Sequence, residues 1–177
     1  VAPDALAGRA TQTDPTTPPA PVDPALPPET TAAVTTGTTD SPAPLEEDPG
    51  RQVASEYNQA FELLQAGEFE SAGFGFRRII SDFPDTPFAS SARYWLAESH
   101  YVMREFDQAE AYFRQVIDDP ATSRRAEALL KLGFIHYERE DWPAARRRLE
   151  QVVADYSDST NAVLAQDRLN EMRAAGR

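Results

Sequence analysis

Residues 67–76 read GEFESAGFGF, residues 104–113 read REFDQAEAYF, and residues 140–149 read EDWPAARRRL; laid over one another they align at offsets of 37 and then 36 residues. In each copy an aromatic residue (Phe69, Phe106, Trp142) precedes an alanine by three positions (Ala72, Ala109, Ala145), and a bulky apolar residue follows four further on (Phe76, Phe113, Leu149). Spacings of three and four put side chains on one helical face. The pairs Ile79-Ile80, Val116-Ile117 and Val152-Val153 carry that face one turn further. Each copy therefore predicts an amphipathic helix.

Working outward, the stretch before each copy predicts a partner helix: Tyr57, Ala60, Phe61 and Leu64; Tyr94, Ala97 and Tyr101; Leu130, Gly133, Phe134 and Tyr137. The small residue in each (Ala60, Ala97, Gly133) is expected opposite the alanine of the second helix, letting two backbones approach closely. Pro84 and Pro120 follow second helices, and Thr86-Pro87 reads as an N-cap with proline at the first helical position. Asp141 and Ser159 read as further N-caps. A last helix from Ser159 to about Ala174, with Ala162, Leu164, Ala165, Leu169 and Met172, is expected to cover the final apolar face. Gly73 and Gly75 each cost a helix about 1 kcal/mol against alanine, and are expected to permit close packing or a kink.

The prediction is an all-α fold, a right-handed superhelical stack of three helical hairpins plus a C-terminal capping helix. Repeats fall at about 53–86, 87–121 and 122–157, with the cap at 159–174, inside a domain covering 51–177. Residues 1–50 differ in kind. They hold 11 of the 15 prolines, 10 threonines and eight acidic residues against the single Arg9, while every Phe, Trp and Tyr lies beyond them. Such a segment cannot build a core and reads as a disordered Pro/Thr-rich acidic linker, a semi-stiff spacer in which PPAP and PALPP could serve as ligands for proline-binding domains.

Composition removes several functions. A net charge of −12 disfavours nucleic acid and anionic lipid as main partners. Arg146-Arg147-Arg148 point about 100° apart on a helix and read as a solvated or ion-paired face. With no cysteine the chain is expected to carry no disulfide, thiol chemistry or lipidated N-terminal Cys. No apolar stretch approaches the roughly 18–20 residues of a membrane span, so direct membrane insertion is not expected. Val1 is not an initiator methionine, and any signal peptide is expected to have been removed.

Catalysis has little to work with. His100 and His136 occupy the same repeat position, which marks a duplicated structural slot, and no zinc-type spacing accompanies them. No phosphate loop or nucleophile motif is present, and neither metal nor cofactor is expected. In such stacks the first helices line the concave side. The groove candidates are Tyr57, Phe61 and Leu64; Tyr94, Glu98 and Tyr101; Leu130, Phe134, Tyr137 and Glu138. They predict an aromatic groove with acidic points, suited to a protein segment presenting apolar and some basic residues. Trp95 reads equally as a wedge between repeats.

The order L-G-x₂-Y, A-x₃-F and P resembles the tetratricopeptide signature. The second copy has YWLAESHY with Ala109 and Phe113; the third has Leu132-Gly133 but Leu149 for the Phe and Ser157 where a proline would fall. More closely, ARYWLAESHYVMREFDQAEAYFRQVI (92–117) and YNQAFELLQAGEFESAGFGFRRIISDFPDT (57–86) resemble the family of Tol-Pal system proteins called YbgF or CpoB, over about residues 55–174. That resemblance implies a periplasmic adaptor of Gram-negative bacteria that binds TolA and a bifunctional peptidoglycan synthase, coordinating wall synthesis with outer-membrane constriction during cell division. Family members trimerise through an N-terminal coiled coil; no heptads precede Pro3, so a trimer is expected only if such an element lies upstream. The alternative is a scaffold in outer-membrane protein assembly or another periplasmic tetratricopeptide adaptor. The two-carboxylate clamp of chaperone-binding relatives needs Lys and Asn in the groove, where this chain has Tyr, Leu, Phe and Glu.

Overall fold

The computed structural model describes residues 49–177, so the linker and its proline runs lie outside the described residues except for Pro49 and Gly50. Seven helices follow one another: α1 (Pro49–Gln65), α2 (Phe69–Asp82), α3 (Pro87–Val102), α4 (Phe106–Asp118), α5 (Arg125–Glu138), α6 (Trp142–Asp155) and α7 (Thr160–Ala174). Helix α1 thus begins two residues inside the stretch read as linker, with proline as its first residue, where a missing N–H costs nothing.

Local chemistry explains the starts. Thr86 Oγ1 accepts from the Ala89 N–H, Asp141 Oδ1 from the Ala144 N–H and Ser159 Oγ from the Ala162 N–H, each satisfying a donor the helix leaves free. Within each hairpin the turn is the same. The N–H groups of Glu68, Glu105 and Asp141 donate to the carbonyls of Leu63, His100 and His136, all at 2.9 Å, and the residue before each is left-handed: Gly67 at φ 81°, Arg104 at 61° and Glu140 at 60°. This is the Schellman closure, which favours glycine at that residue. Arg104 and Glu140 hold a conformation costly for residues with a Cβ. Glu140→Gly is therefore expected to stabilise the chain by about 0.5–1 kcal/mol, and Gly67→Ala to destabilise it by about 1 kcal/mol, read from urea midpoints at constant m.

Packing follows the register. Ala72, Ala109 and Ala145 are fully buried, as are Phe76, Phe113 and Leu149 and, one turn on, Ile79, Val116 and Val152. Consecutive helices pack pairwise, and α1 also meets α3 as α5 meets α7, whereas no second helix packs extensively on the next. The first helices α1 and α3 share one surface by direct packing, as do α5 and α7, and the Glu98–Lys131 pair joins α3 to α5; this is the inner surface. Helix α5 is apolar nearly all round because it serves two clusters: Ala128, Leu132 and Ile135 join the core built by α1 to α4, while Leu129 and Leu130 join that of α6 and α7.

Gly133 meets a partner other than the alanine expected. A Cβ at Gly133 would lie 2.7 Å from Leu149 Cδ2, and one at Gly75 would lie 2.8 Å from Ala60 Cβ. Side chains on crossing helices meet where the axes cross, and that point falls at the bulky end of the motif. Gly75 thus permits close approach of α1 and α2. Gly75→Ala gains about 1 kcal/mol in propensity but sets two backbone-anchored methyl groups into overlap, costing about 1–3 kcal/mol. Net destabilisation is expected, with Ala60→Gly restoring it; denaturation of both singles and the double should give a coupling above about 1 kcal/mol.

Helix α7 ends the stack with a polar outer row, in which Gln166 and Arg173 both donate to Asn170. Ala162, Ala165, Leu169 and Met172 are buried as expected, but Leu164 lies on the exposed side beside Val163. The helical period places it one step off the buried stripe.

Candidate functional site

On the inner surface, one position of each first helix covers the first helix before it. Trp95 of α3 packs edge-on against Phe61 of α1, centroids 5.1 Å apart, and its Nε1–H donates to the Tyr57 hydroxyl at 2.8 Å. At the matching position of α5, Lys131 lies 4.9 Å over the Tyr101 ring and pairs with Glu98 at 2.7 Å. In α7, Arg168 lies over Phe134 and Tyr137, 5.2 and 4.6 Å from their centroids. Trp95 is thus the wedge between the first two repeats, and two cations take its place further along.

The ten candidates divide accordingly. Tyr57 and Tyr94 are each 6% exposed and Leu130 3%; they pack the hairpins and support the surface instead of lining it. Phe61, Leu64, Tyr101, Phe134 and Tyr137 are half-buried along it. The acidic points are not free charges. Glu98 is held by Lys131, and the exposed Glu138 pairs with Arg104 at 3.3 Å. Each carboxylate reaches a base from a neighbouring repeat, 33 and 34 residues away in sequence. One acceptor is left over: Glu98 Oε1 is buried without a hydrogen-bond partner, an arrangement that asks for a donor.

The cations Lys131, Arg168 and Arg124 are the members sequence reasoning missed. Extending the repeat register to Trp95 finds the first two, because residues 95, 131 and 168 are spaced 36 and 37 apart.

Burial raises the phenol pKa values of Tyr57, Tyr94 and Tyr101, the last to about 12, with Glu138 and Glu98 reinforcing the shift at Tyr101. A raised folded-state value means stability that is full below the ordinary value near 10 and lost as pH rises through about 12. Denaturant midpoints are expected to fall across that window, and less steeply in Tyr101→Phe.

The two histidines occupy equivalent places, as their spacing foretold. His100 is buried, its Nδ1 2.6 Å from Glu105 Oε2, and its ring stacks on Tyr112; His136 Nδ1 is 3.9 Å from Asp141 Oδ2, and burial lowers its pKa. Each ties the end of a first helix to the acidic residue that opens the second. Among the described residues no three His, Cys, Asp or Glu side chains gather as a metal site, and no helix is long and apolar enough to cross a membrane. The arginine run is dispersed: Arg146 donates to the Arg177 carbonyl, Arg148 donates to Gln151, and Arg147 is exposed.

A family model described as a tetratricopeptide repeat-like domain matches residues 45–156, more than half of the chain. No curated protein matches it.

Proposed function

Since the chain belongs to the tetratricopeptide repeat-like domain family, we propose that it is a non-catalytic adaptor whose first-helix surface captures a segment of another protein. The carrying observation is the line of half-buried rings, Phe61, Tyr101, Phe134 and Tyr137, beside the exposed Glu138. Rings offer apolar area at little entropic cost, and the exposed Glu138 carboxylate accepts from an amide or a basic side chain. A segment with apolar residues and some basic charge satisfies both.

The adaptor belongs in this reading to the periplasm and to the Tol-Pal system, with TolA and a bifunctional peptidoglycan synthase as partners, linking wall synthesis to outer-membrane constriction during division. The support is the YWLAESHY sequence at 94–101 and the repeat register. Calorimetric titration of the chain with purified TolA, and separately with the synthase, tests it. Binding to at least one, weakened at least tenfold by Phe134→Ala with Tyr137→Ala, is the expected result. Silence with both proteins removes the Tol-Pal assignment, and binding indifferent to the double substitution removes the first-helix surface.

A further inference from the structure

Arg124 is placed where helix stability does not want it. The junctions after α2 and α6 are Phe83-Pro84-Asp85-Thr86 and Tyr156-Ser157-Asp158-Ser159, each closed by a hydroxyl cap. The junction after α4 is two residues longer and ends on Arg124, which occupies the N-cap of α5 with no capping hydrogen bond. A cation there opposes the helix dipole, and the cap it displaces is a favourable one. A local rule broken inside an otherwise consistent repeat marks a position kept for another reason.

The surroundings supply that reason. The Arg124 guanidinium lies 4.9 Å over the Tyr94 ring and 5.0 Å over that of Trp95. Among the described residues its side chain makes no hydrogen bond and no ion pair, although it is half-buried. Five N–H donors in a planar fork are thus held in place without an acceptor. Arg124 lines a cleft of about 780 Å³ between the start of α3 and the end of α4, together with Ser90, Ser91, Thr122 and Ser123. The cleft wall is built in advance: Asp119 accepts from the Ala121 N–H at 2.9 Å and faces Arg93 at 3.7 Å, so its charge is already engaged. The Ala121 N–H, chiefly, holds the Asp119 pKa below the usual carboxylate range. Asp85 and Asp118 stand exposed in the same lining.

We infer that this cleft is a second subsite, which receives a carboxylate of the bound protein segment on Arg124 while a neighbouring basic residue of that segment meets Asp85 and Asp118. It rests on the adaptor reading but not on the identity of the partner. Arginine suits this task because its fork matches carboxylate geometry.

The test uses the full chain labelled with ¹⁵N and two probes, acetyl-Gly-Lys-Asp-Gly-amide and its Asn isostere. Saturable shifts at the amides of Ser90, Ser91, Thr122 and Ser123 are expected with the Asp probe, and about tenfold weaker binding with the Asn probe. Arg124→Gln should abolish the response and Arg124→Lys keep part of it, circular dichroism verifying that both stay helical. Phe134→Ala with Tyr137→Ala should leave it intact, which separates this subsite from the first-helix surface. Equal responses to the two probes, shifts that never saturate, or an unaltered response in Arg124→Gln would overturn the inference. So would a response lost in the first-helix variant but kept in Arg124→Gln.

Discussion

Phe113→Ala is expected to lower the unfolding free energy by about 3–5 kcal/mol, a large share of the roughly 5–15 kcal/mol that holds a domain of this size together. The ring is fully buried in α4, edge-on to Tyr94 at 5.7 Å, and belongs to the cluster that runs from α1 through α5. Its loss leaves a cavity between helices that are each fixed by a further neighbour, so the walls cannot close on it. Urea denaturation followed at 222 nm measures the cost. Leu149 holds the matching place in the cluster of α6 and α7 and, being smaller, should cost less, about 2–4 kcal/mol as alanine. A Phe113→Ala chain within 1 kcal/mol of the parent would mean that the motif position does not carry the core.

Trp95→Ala should cost a comparable amount, about 3–5 kcal/mol, by a different route. Trp95 is 6% exposed, meets Phe61 and Tyr94 edge-on at 5.1 Å, and supplies the donor to the Tyr57 hydroxyl. Its removal takes away the wedge between the first two repeats and deprives a buried hydroxyl, which Ser91 also reaches, of its indole donor. Trp95→Phe separates the two effects: most of the ring contact survives, and the remaining loss of about 1–3 kcal/mol is that of a buried polar group without its partner. Tyr57→Phe combined with Trp95→Phe should then cost less than the sum of the singles, because both lose one shared bond. Additive costs would show the hydrogen bond to be energetically idle.

The hairpins were legible because their signal is local. An aromatic residue, an alanine three later and a bulky residue four after that can satisfy burial only as one face of a helix, and three copies at nearly equal offsets can be stacked in one way. The caps were legible for the same reason, since Thr86, Asp141 and Ser159 act within three residues of themselves. The left-handed turns were only partly so. Gly67 announces its conformation, but Arg104 and Glu140 adopt it through the surrounding hairpin, against their own preference.

The candidate site divides along the same line. Sequence alone determined that the first helices carry Phe61, Tyr101, Phe134 and Tyr137 on a shared face, since helical period decides which residues sit together within one element. Only the tertiary structure decided which of the ten candidates stay accessible, because burial depends on what the next repeat lays over them. It decided likewise that Lys131 neutralises Glu98, that Arg168 covers two rings and that Arg124 lies over Tyr94 and Trp95. Those pairings join residues about 30 or more positions apart, and a side chain's charge acts on whatever the crossing of two helices brings within a few ångströms, which periodicity within one helix does not encode.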